Sequence, residues 1–551
     1  MKKTFLLSCL MLAAMPVMAA YTGHVYVDKN KNGVFDQSEK PLAGIKVSDG
    51  LNVVETAADG SFTLPGHERE RFIFITTPSG YKTFNRHYHK IEKKQSGYDF
   101  GLIPYSGRIR KDGSHRYIHI TDTEIFNTEN HADWVNNVHD YARNEQAAFI
   151  IHTGDICYEK GLKAHIKLMN TENMDCPVFY CIGNHDLVKG KYGEELFESI
   201  YGPVYYSFDA GNVHYVVTPM PGGDHAPGYT SDDVCRWLKN DLTHIRPGTP
   251  VVVFNHDLLT YEDTFIFKSK NAGSINLNEY NLKAWVYGHW HINYMKKQGD
   301  VYSVCTSSLD KGGIDHSTTA FRVMHVDSKG DFTSELRYTY LDKNICIASP
   351  AGVMASGVLP VAVNVYSSVS PVREVLYTCL ADGKPVLKNK RLLQSTDWSW
   401  NGELPLSHKY VGKELTLRVT ARFNNGEIAE AESNFICRTE KAVPLFSADW
   451  DNLSGNAKHS APVSAPLNLP LQLAWTNNVG ANLYMTSPLI HKGKVIVASV
   501  DEDLKGAGHV YALNGKDGTI LWSCPVRNSI KNSIAVDSDI AVSYTHLTLP
   551  T

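Results

Sequence analysis

Short apolar runs alternate with polar positions over residues 21–105, at 24–27, 45–47, 53–56, 61–64 and 72–76. This period-two pattern, broken by turn signals such as Asp59-Gly60, predicts paired strands and a small β-sandwich over 21–105. Over 106–345 the pattern changes. Apolar, β-branched runs at 117–120, 149–152, 178–182, 251–254 and 284–287 alternate with segments of helical spacing. Over 131–145, Trp134, Val135, Val138, Tyr141 and Ala142 fall on one helical face, and helices are also predicted over 161–170 and 231–244. Strands alternating with helices predict an α/β layered domain with its functional residues at the carboxyl ends of the strands. Strand alternation returns over 346–440, as at 361–365 and 415–420, and predicts a second β-sandwich. Residues 441–470, rich in Pro, Ser and Asn, read as a linker.

A chain of 551 residues is too long for one core, which agrees with several domains. The net charge of −4 and the lack of a basic stripe interleaved with aromatic residues give no nucleic-acid signal. Residues 1–20 read as a signal peptide: Lys2 and Lys3 precede an apolar run over 5–14 and a small-residue cleavage site near Ala19-Ala20. That run is too short to span a bilayer of roughly 30 Å, and no later stretch could span one. The expectation is an exported protein, periplasmic, secreted or at the cell surface. Of ten cysteines, Cys9 falls in the leader, and the others show no framework spacing.

The chemistry lies in an ordered series of metal-ligand residues. These are Asp122-Thr-Glu124, Gly154-Asp155, Gly183-Asn184-His185-Asp186, Asn255-His256 and Gly288-His289-Trp290-His291, each following an apolar run. Taken singly they say little: Asp-x-Glu is common, and Gly-Asp after a strand is usually a turn. His-x-His on a strand places both imidazoles on one face. In sequence, hard and borderline ligands delivered one strand end at a time are what a two-metal hydrolytic site needs.

The series resembles the calcineurin-like metallophosphoesterase superfamily, with its Asp-x-His, Gly-Asp, Gly-Asn-His-Asp/Glu, lone His and Gly-His-x-His. The resemblance covers residues 116–291. It implies that Asp122 and His291 hold a first metal, that Asp155 bridges two metals, and that Asn184, His256 and His289 complete the second. It further implies catalytic roles for Asp155 and Asn184 at the metals and for His185 facing the substrate phosphate. The implied function is hydrolysis of a phosphomonoester or phosphodiester by a metal-activated water. The cofactors would be two ions drawn from Mn, Fe, Mg or Zn. Glu124 stands where the family has His. As a seventh ligand it would bring a formal negative charge and favour a harder ion over Zn²⁺. The rival reading is a surface ligand-binding protein with a vestigial metal core.

Two further patterns lie outside this series. Asp28, Asn30, Asn32, Val34, Asp36 and Glu39, with Gly33 at the sixth position, match the spacing of a twelve-residue calcium loop, so Ca²⁺ is a candidate ligand of the N-terminal domain. The run Tyr511-Ala512-Leu513-Asn514, Gly518-Thr519 and Trp522 resembles a blade of a pyrroloquinoline-quinone-type β-propeller. Residues 441–542 are therefore expected to hold the linker and an incomplete propeller, whose protein or glycan partner is left open. The last residues, 543–551, fit no blade and read as a non-native tail. The fold class expected is multidomain: a central α/β layered metallophosphoesterase domain flanked by β-sandwich domains, then an incomplete β-propeller fragment.

Overall fold

A computed structural model describes residues 20–93, 95, 97–439, 449–456, 458–461, 473–527, 529–538 and 540–543. Apart from Ala20 the expected leader lies outside them, as do 441–448 and 462–470 of the linker and 544–551 of the tail. The described chain is rich in β-structure, with several sheets and few helices. None of these helices is long and apolar enough to cross a membrane.

The N-terminal unit pairs Tyr21–Val27 with Lys40–Pro41, Ser61–Leu64 and Phe100–Pro104 in one sheet, which Tyr81–Thr83 completes. A second sheet runs Val53–Glu55, Lys46–Ser48, Phe72–Ile75 and Tyr88–Lys90. Val25, Val47, Phe62, Ile73, Ile75 and Phe100 from the two sheets share one core. The turn at Asp59-Gly60 uses a positive φ at Gly60, where a Cβ would lie 2.6 Å from the Val25 carbonyl oxygen. Side chains of Phe72–Ile75 alternate between two cores: Ile73 and Ile75 face their own unit, while Phe72 and Phe74 enter the core of the next.

That next core is built on two sheets. In the first, His115–Ile120 lies between Phe149–His152 and Ala320–Val326, with Val178–Tyr180 and Phe332–Tyr338 at the edges. The second runs Tyr206–Ala210, Val213–Val217, Val251–Phe254, Leu282–Tyr287, Val301–Cys305 and Tyr294–Gln298. Strands of both sheets that precede predicted site residues are parallel to their neighbours in that series. Every residue of Phe149–His152 and Val251–Phe254 is buried, as expected for strands covered on both faces. Tyr117, Phe149 and Phe179 of the first sheet meet Phe208, Tyr215 and Phe254 of the second. The helices Ala132–Asn144 and Tyr158–Leu168 cover the opposite face of the first sheet, through Trp134, Val138 and Leu162 against Ile118 and Ile150.

Helix Ala132–Asn144 buries the five residues placed on one face by its spacing. Helix Ser231–Thr243 begins at a Thr230/Asp233 capping box, which satisfies two otherwise open ends. Helix Tyr158–Leu168 starts three residues before the predicted 161, because the apolar spacing becomes readable only after the polar first turn.

Residues 344–438 form two further sheets around Val361, Val363, Tyr377, Leu417, Val419 and Phe435. The last unit holds a four-stranded sheet, Leu489–His491, Lys494–Ala498, His509–Asn514 and Ile520–Pro525, and a hairpin of Ala535–Asp537 with Ile540–Val542. Trp475 packs over Gly518, at the turn between the last two strands of that sheet.

Candidate metal centre

The predicted series converges at the carboxyl ends of strands from both sheets. Asp122 follows His115–Ile120, Asp155 follows Phe149–His152, and Asn184 follows Val178–Tyr180. His256 follows Val251–Phe254, and His289 and His291 follow Leu282–Tyr287. The chain turns sharply there. Asp122, Glu124, Asp155, His289 and His291 all have positive φ, between 42° and 65°. Non-glycine residues in this region cost of order 1–3 kcal/mol each and persist where the surroundings over-determine them. Glycines make the close approach possible. A Cβ at Gly183 would lie 2.2 Å from Asp155 Oδ1, and one at Gly288 would lie 1.9 Å from Thr121 Oγ1.

Asp155, His256 and His289 offer ligand atoms within 4.8 Å of one another, and a second such group is Glu124, Asp155 and Cys157. Asp155 belongs to both. His256 Nε2 lies 3.1 Å from Asp155 Oδ2, and His291 Nε2 lies 3.4 Å from Asp122 Oδ1 and 3.5 Å from Glu124 Oε1. Asp122 and His256 have no exposed surface. Asp122 Oδ1, Asn184 Oδ1 and His256 Nε2 are all buried without a hydrogen-bond partner. Orphaned buried polar atoms are costly and rare. Three of them in one predicted ligand set, with His256 Nε2 beside the Asp155 carboxylate, fit a bound cation.

Surrounding groups fix the orientation of these side chains. His256 Nδ1–H donates to the Thr153 carbonyl oxygen at 2.7 Å, which turns Nε2 towards the centre. Asp122 Oδ2 accepts from Thr121 Oγ1 and the His289 N–H. Asp155 Oδ1 accepts from the His185 N–H. Asp186, fully buried, accepts the N–H groups of Asp155, Cys157 and Gly183 and so ties the Gly-Asp and Gly-Asn-His-Asp turns together. The electrostatics favour positive charge. Against the effect of burial, Asp155 pushes His256 up to about 9. Asp122 raises His291, whereas burial lowers His289.

Residues 115–293 match the family described as Calcineurin-like phosphoesterase. A metallophosphoesterase domain is present. Residues 29–104 match the family described as N terminal of Calcineurin-like phosphoesterase. Among curated proteins, Purple acid phosphatase 13 of Arabidopsis thaliana is 26% identical over 215 residues, 36% of this chain and 36% of its own length. The chain thus matches about a third of that relative. Among solved structures, a conserved uncharacterized protein of Streptococcus pneumoniae TIGR4, itself a predicted phosphoesterase, covers 41% of this chain and 90% of its own at 12% identity and a TM-score of 0.22. An endo-beta-1,4-mannanase from Thermotoga petrophila covers 54% and 48% at 9% identity and a TM-score of 0.16. At these scores neither likeness bears on fold or function. Calcineurin-like phosphoesterases use divalent metals, and the family suggests metal-dependent phosphoester hydrolysis.

Around His185 and Glu124, the rim of the metallophosphoesterase domain adds residues that the motif series does not contain. His185 is one-third exposed, and its Nδ1 lies 2.8 Å from Asp224 Oδ2. Burial opposes protonation of His185, but the Asp224 hydrogen bond and the Asp155 charge raise its pKa overall. The Tyr158 ring lies 5.5 Å from the His185 ring and stacks on Phe126. Lys311 Nζ contacts both the carbonyl and the carboxylate of Glu124. Tyr261, largely exposed, stacks on Trp290 between the two His of the Gly-His-x-His turn. Two nearby tyrosines serve the scaffold: Tyr229 is buried and donates to the Met220 carbonyl oxygen, and Tyr192 donates to Glu198.

The possible calcium loop folds on itself. Asp28 and Glu39 are buried. Asp28 accepts the N–H groups of Asn32 and Gly33, Glu39 accepts that of Lys29, and Asn32 Oδ1 accepts that of Val34. The Asn30 and Asn32 amides both donate to Asp36.

Proposed function

We propose that this chain is an exported two-metal phosphoesterase that hydrolyses a phosphomonoester or phosphodiester. The observation that carries the reading is the set of three buried atoms without hydrogen-bond partners, on Asp122, Asn184 and His256, the last of them 3.1 Å from the Asp155 carboxylate. Asp155 would be shared by two cations. Asp122, Glu124 and His291 would hold one, and Asn184, His256 and His289 the other. When bound, the cations supply Lewis-acid charge to the phosphate oxygens and lower the pKa of water at the site. His185, oriented by Asp224, would stand over the phosphate and give a proton to the leaving oxygen. Glu124 adds negative charge at the first position and favours Mn²⁺, Mg²⁺ or iron over Zn²⁺. A vestigial core in a surface binding protein is the weaker reading, since every ligand position but Glu124 keeps the family residue.

Around this centre we place an α/β layered core between β-sandwiches, a calcium loop at Asp28–Glu39 that stiffens the N-terminal unit, and a C-terminal blade-like sheet of propeller type. The loop's spacing and buried end residues support the calcium assignment. The sequence pattern over 1–20 supports export.

The deciding experiment is metal analysis of the purified protein, followed by assay with Mn²⁺ on generic phosphomonoesters and phosphodiesters, with Asp155→Asn as the control. Wild-type turnover of either ester, lost in the variant, supports the reading. Equal rates for the two proteins on both ester types would sink it.

A further inference from the structure

Behind the metal centre, a buried polar chain runs from His256 to the C-terminal unit. The Thr153 carbonyl oxygen accepts from His256 Nδ1 at 2.7 Å. Thr153 Oγ1 lies 2.8 Å from His119 Nε2, and Thr306 Oγ1 lies 2.8 Å from His119 Nδ1. Arg322 Nε donates to Thr306 Oγ1 at 3.1 Å. The same guanidinium donates to the Cys305 carbonyl oxygen, to Ser334 Oγ and to the Asp503 carboxylate. His119, Thr153, Thr306 and Arg322 have no exposed surface.

A guanidinium can only donate, so Thr306 Oγ1 accepts from Arg322 Nε. Burial, with the Arg322 charge, keeps His119 neutral. A neutral imidazole donates through one ring nitrogen and accepts at the other, and the two threonine hydroxyls, each able to donate or accept, match it on both sides.

Asp503 lies between Lys494–Ala498 and His509–Asn514, in the C-terminal unit. Its pairing with Arg322 crosses from that unit into the core of the metallophosphoesterase domain. A second crossing lies beside it. Lys531 Nζ is 2.7 Å from Asp315 Oδ2, from Ser317 Oγ and from Glu502 Oε1. Asp315 and Ser317 belong to a loop whose Ile314 N–H donates to the His291 carbonyl oxygen at 2.9 Å. One crossing thus reaches His256, and the other reaches His291.

We infer that the C-terminal unit is part of the support of the metal centre: Asp503 and Lys531 are positioning residues that hold His256 and His291 in their ligand orientations, through Arg322, Thr306, His119 and Thr153 in the first case and the 313–317 loop in the second. This inference rests on the reading of both histidines as metal ligands. It makes the last sheet a working part of the hydrolase and not an independent appendage.

The test uses the full chain, stripped of metal, and measures Mn²⁺ affinity by competition with a chelating dye alongside far-UV circular dichroism and melting. Thr306→Val removes the hydroxyl that links Arg322 to His119 and is expected to weaken Mn²⁺ binding about 10-fold, the lower end for groups that orient a ligand. Thr306→Ser, which keeps the hydroxyl, should bind as wild type does. Asp503→Asn is expected to weaken binding by about threefold, a smaller effect because it acts further along the same chain. Unchanged Mn²⁺ affinity in folded Thr306→Val overturns the inference, even if melting falls, because the chain would then be structural only. If Asp503→Asn does not fold, the Val and Ser variants of Thr306 decide. His256→Ala and His291→Ala separate the two readings: Mn²⁺ binding equal to wild type in both variants refutes the metal assignment itself, and with it the inference.

Discussion

Lys311 Nζ lies 2.7 Å from Glu124 Oε2, while Glu124 Oε1 faces His291 Nε2 at 3.5 Å. The residue that departs from the family pattern therefore shares its charge between the centre and a lysine on the rim. Lys311 is nearly half exposed, so the pairing is screened and worth roughly 1 kcal/mol or less. Lys311→Met should free Glu124 and tighten divalent-cation binding by about threefold to fivefold, a change of that same size. Titration of the metal-free protein with Mn²⁺ measures it. Weaker binding in the variant would mean that Lys311 orients Glu124 more than it competes for it.

Gly183 sits where a side chain would displace the Asp155 carboxylate. A Cβ there would lie 2.2 Å from Asp155 Oδ1 and 2.3 Å from the Asp155 nitrogen. Backbone and a tied carboxylate cannot yield that distance cheaply. Gly183→Ala should therefore cost the protein most of its bound metal, and activity should fall by roughly 100-fold or more, as expected for an active site misplaced by about 1 Å. Metal content per chain and hydrolysis of a generic phosphoester check both. Full metal content in the variant would show that the Gly183 turn can move away from Asp155.

What could be read from the sequence was what strands and ligands do locally. The run Phe149-Ile-Ile-His152 announces a buried strand, and Gly154-Asp155 after it announces a turn that presents a carboxylate. Repetition of that unit along the chain marks the turns that lie at the carboxyl ends of these strands. The partners of those residues could not be read in the same way. Lys311 meets Glu124 across 187 residues and Asp503 meets Arg322 across 181. Neither pair leaves a periodic mark, because each depends on sheets that bring distant turns together. Residues 320–326 and 332–338 extend the first sheet as an antiparallel hairpin, an addition that strand–helix alternation does not announce. Asp224 was hidden for another reason: its loop carries Gly, Pro and His, and polarity alone does not show which side chain turns inward.

A buried cluster away from the centre gives a pH-dependent stability. His214 has no exposed surface; its Nδ1 lies 2.7 Å from Asp209 Oδ1, and its Nε2 lies 2.8 Å from Asp241 Oδ2. Burial lowers the His214 pKa, but Asp241 and Asp209 outweigh it and the net shift is upward, although Lys46 opposes it. Burial raises Asp241, yet His214 carries it below its usual value. For a raised histidine the stabilisation is full below its unfolded pKa of about 6.5 and is lost as pH rises through the folded value. For a lowered aspartate it is present above about 3.9 and lost as pH falls through the folded value. The pair is thus most stabilising between about pH 4 and 6.5, and its contribution declines on the alkaline side. His214→Gln should lower stability by about 3 kcal/mol near pH 6, because buried Asp241 loses the imidazolium hydrogen-bonded to it and keeps only Lys46 as a positive neighbour. The gap from wild type should narrow above the folded His214 pKa. Denaturant midpoints measured from pH 5 to 9 test this, and a constant gap across that range would refute the assignment of charge to His214.

The pairing of His185 with Asp224 separates chemistry from metal binding. Asp224 Oδ2 holds His185 Nδ1 at 2.8 Å, while the His185 backbone N–H is fixed by Asp155 Oδ1. The main chain of His185 is therefore tied to Asp155, and its ring belongs to the rim. Asp224→Asn keeps the size of the partner but removes its charge, which lessens the tendency of His185 to carry a proton. The ring remains in place through Tyr158 and the backbone. The expected result is an unchanged metal content with turnover lowered by about 10-fold. For His185→Ala the loss should be about 100-fold, the lower range for a general acid. The dependence on the leaving group sharpens the test. An ester with a good leaving group such as p-nitrophenolate needs little protonation, so both losses should shrink on it and be full on an alkyl phosphate. Equal losses on the two esters would move His185 from proton donor to a group that only binds the phosphate.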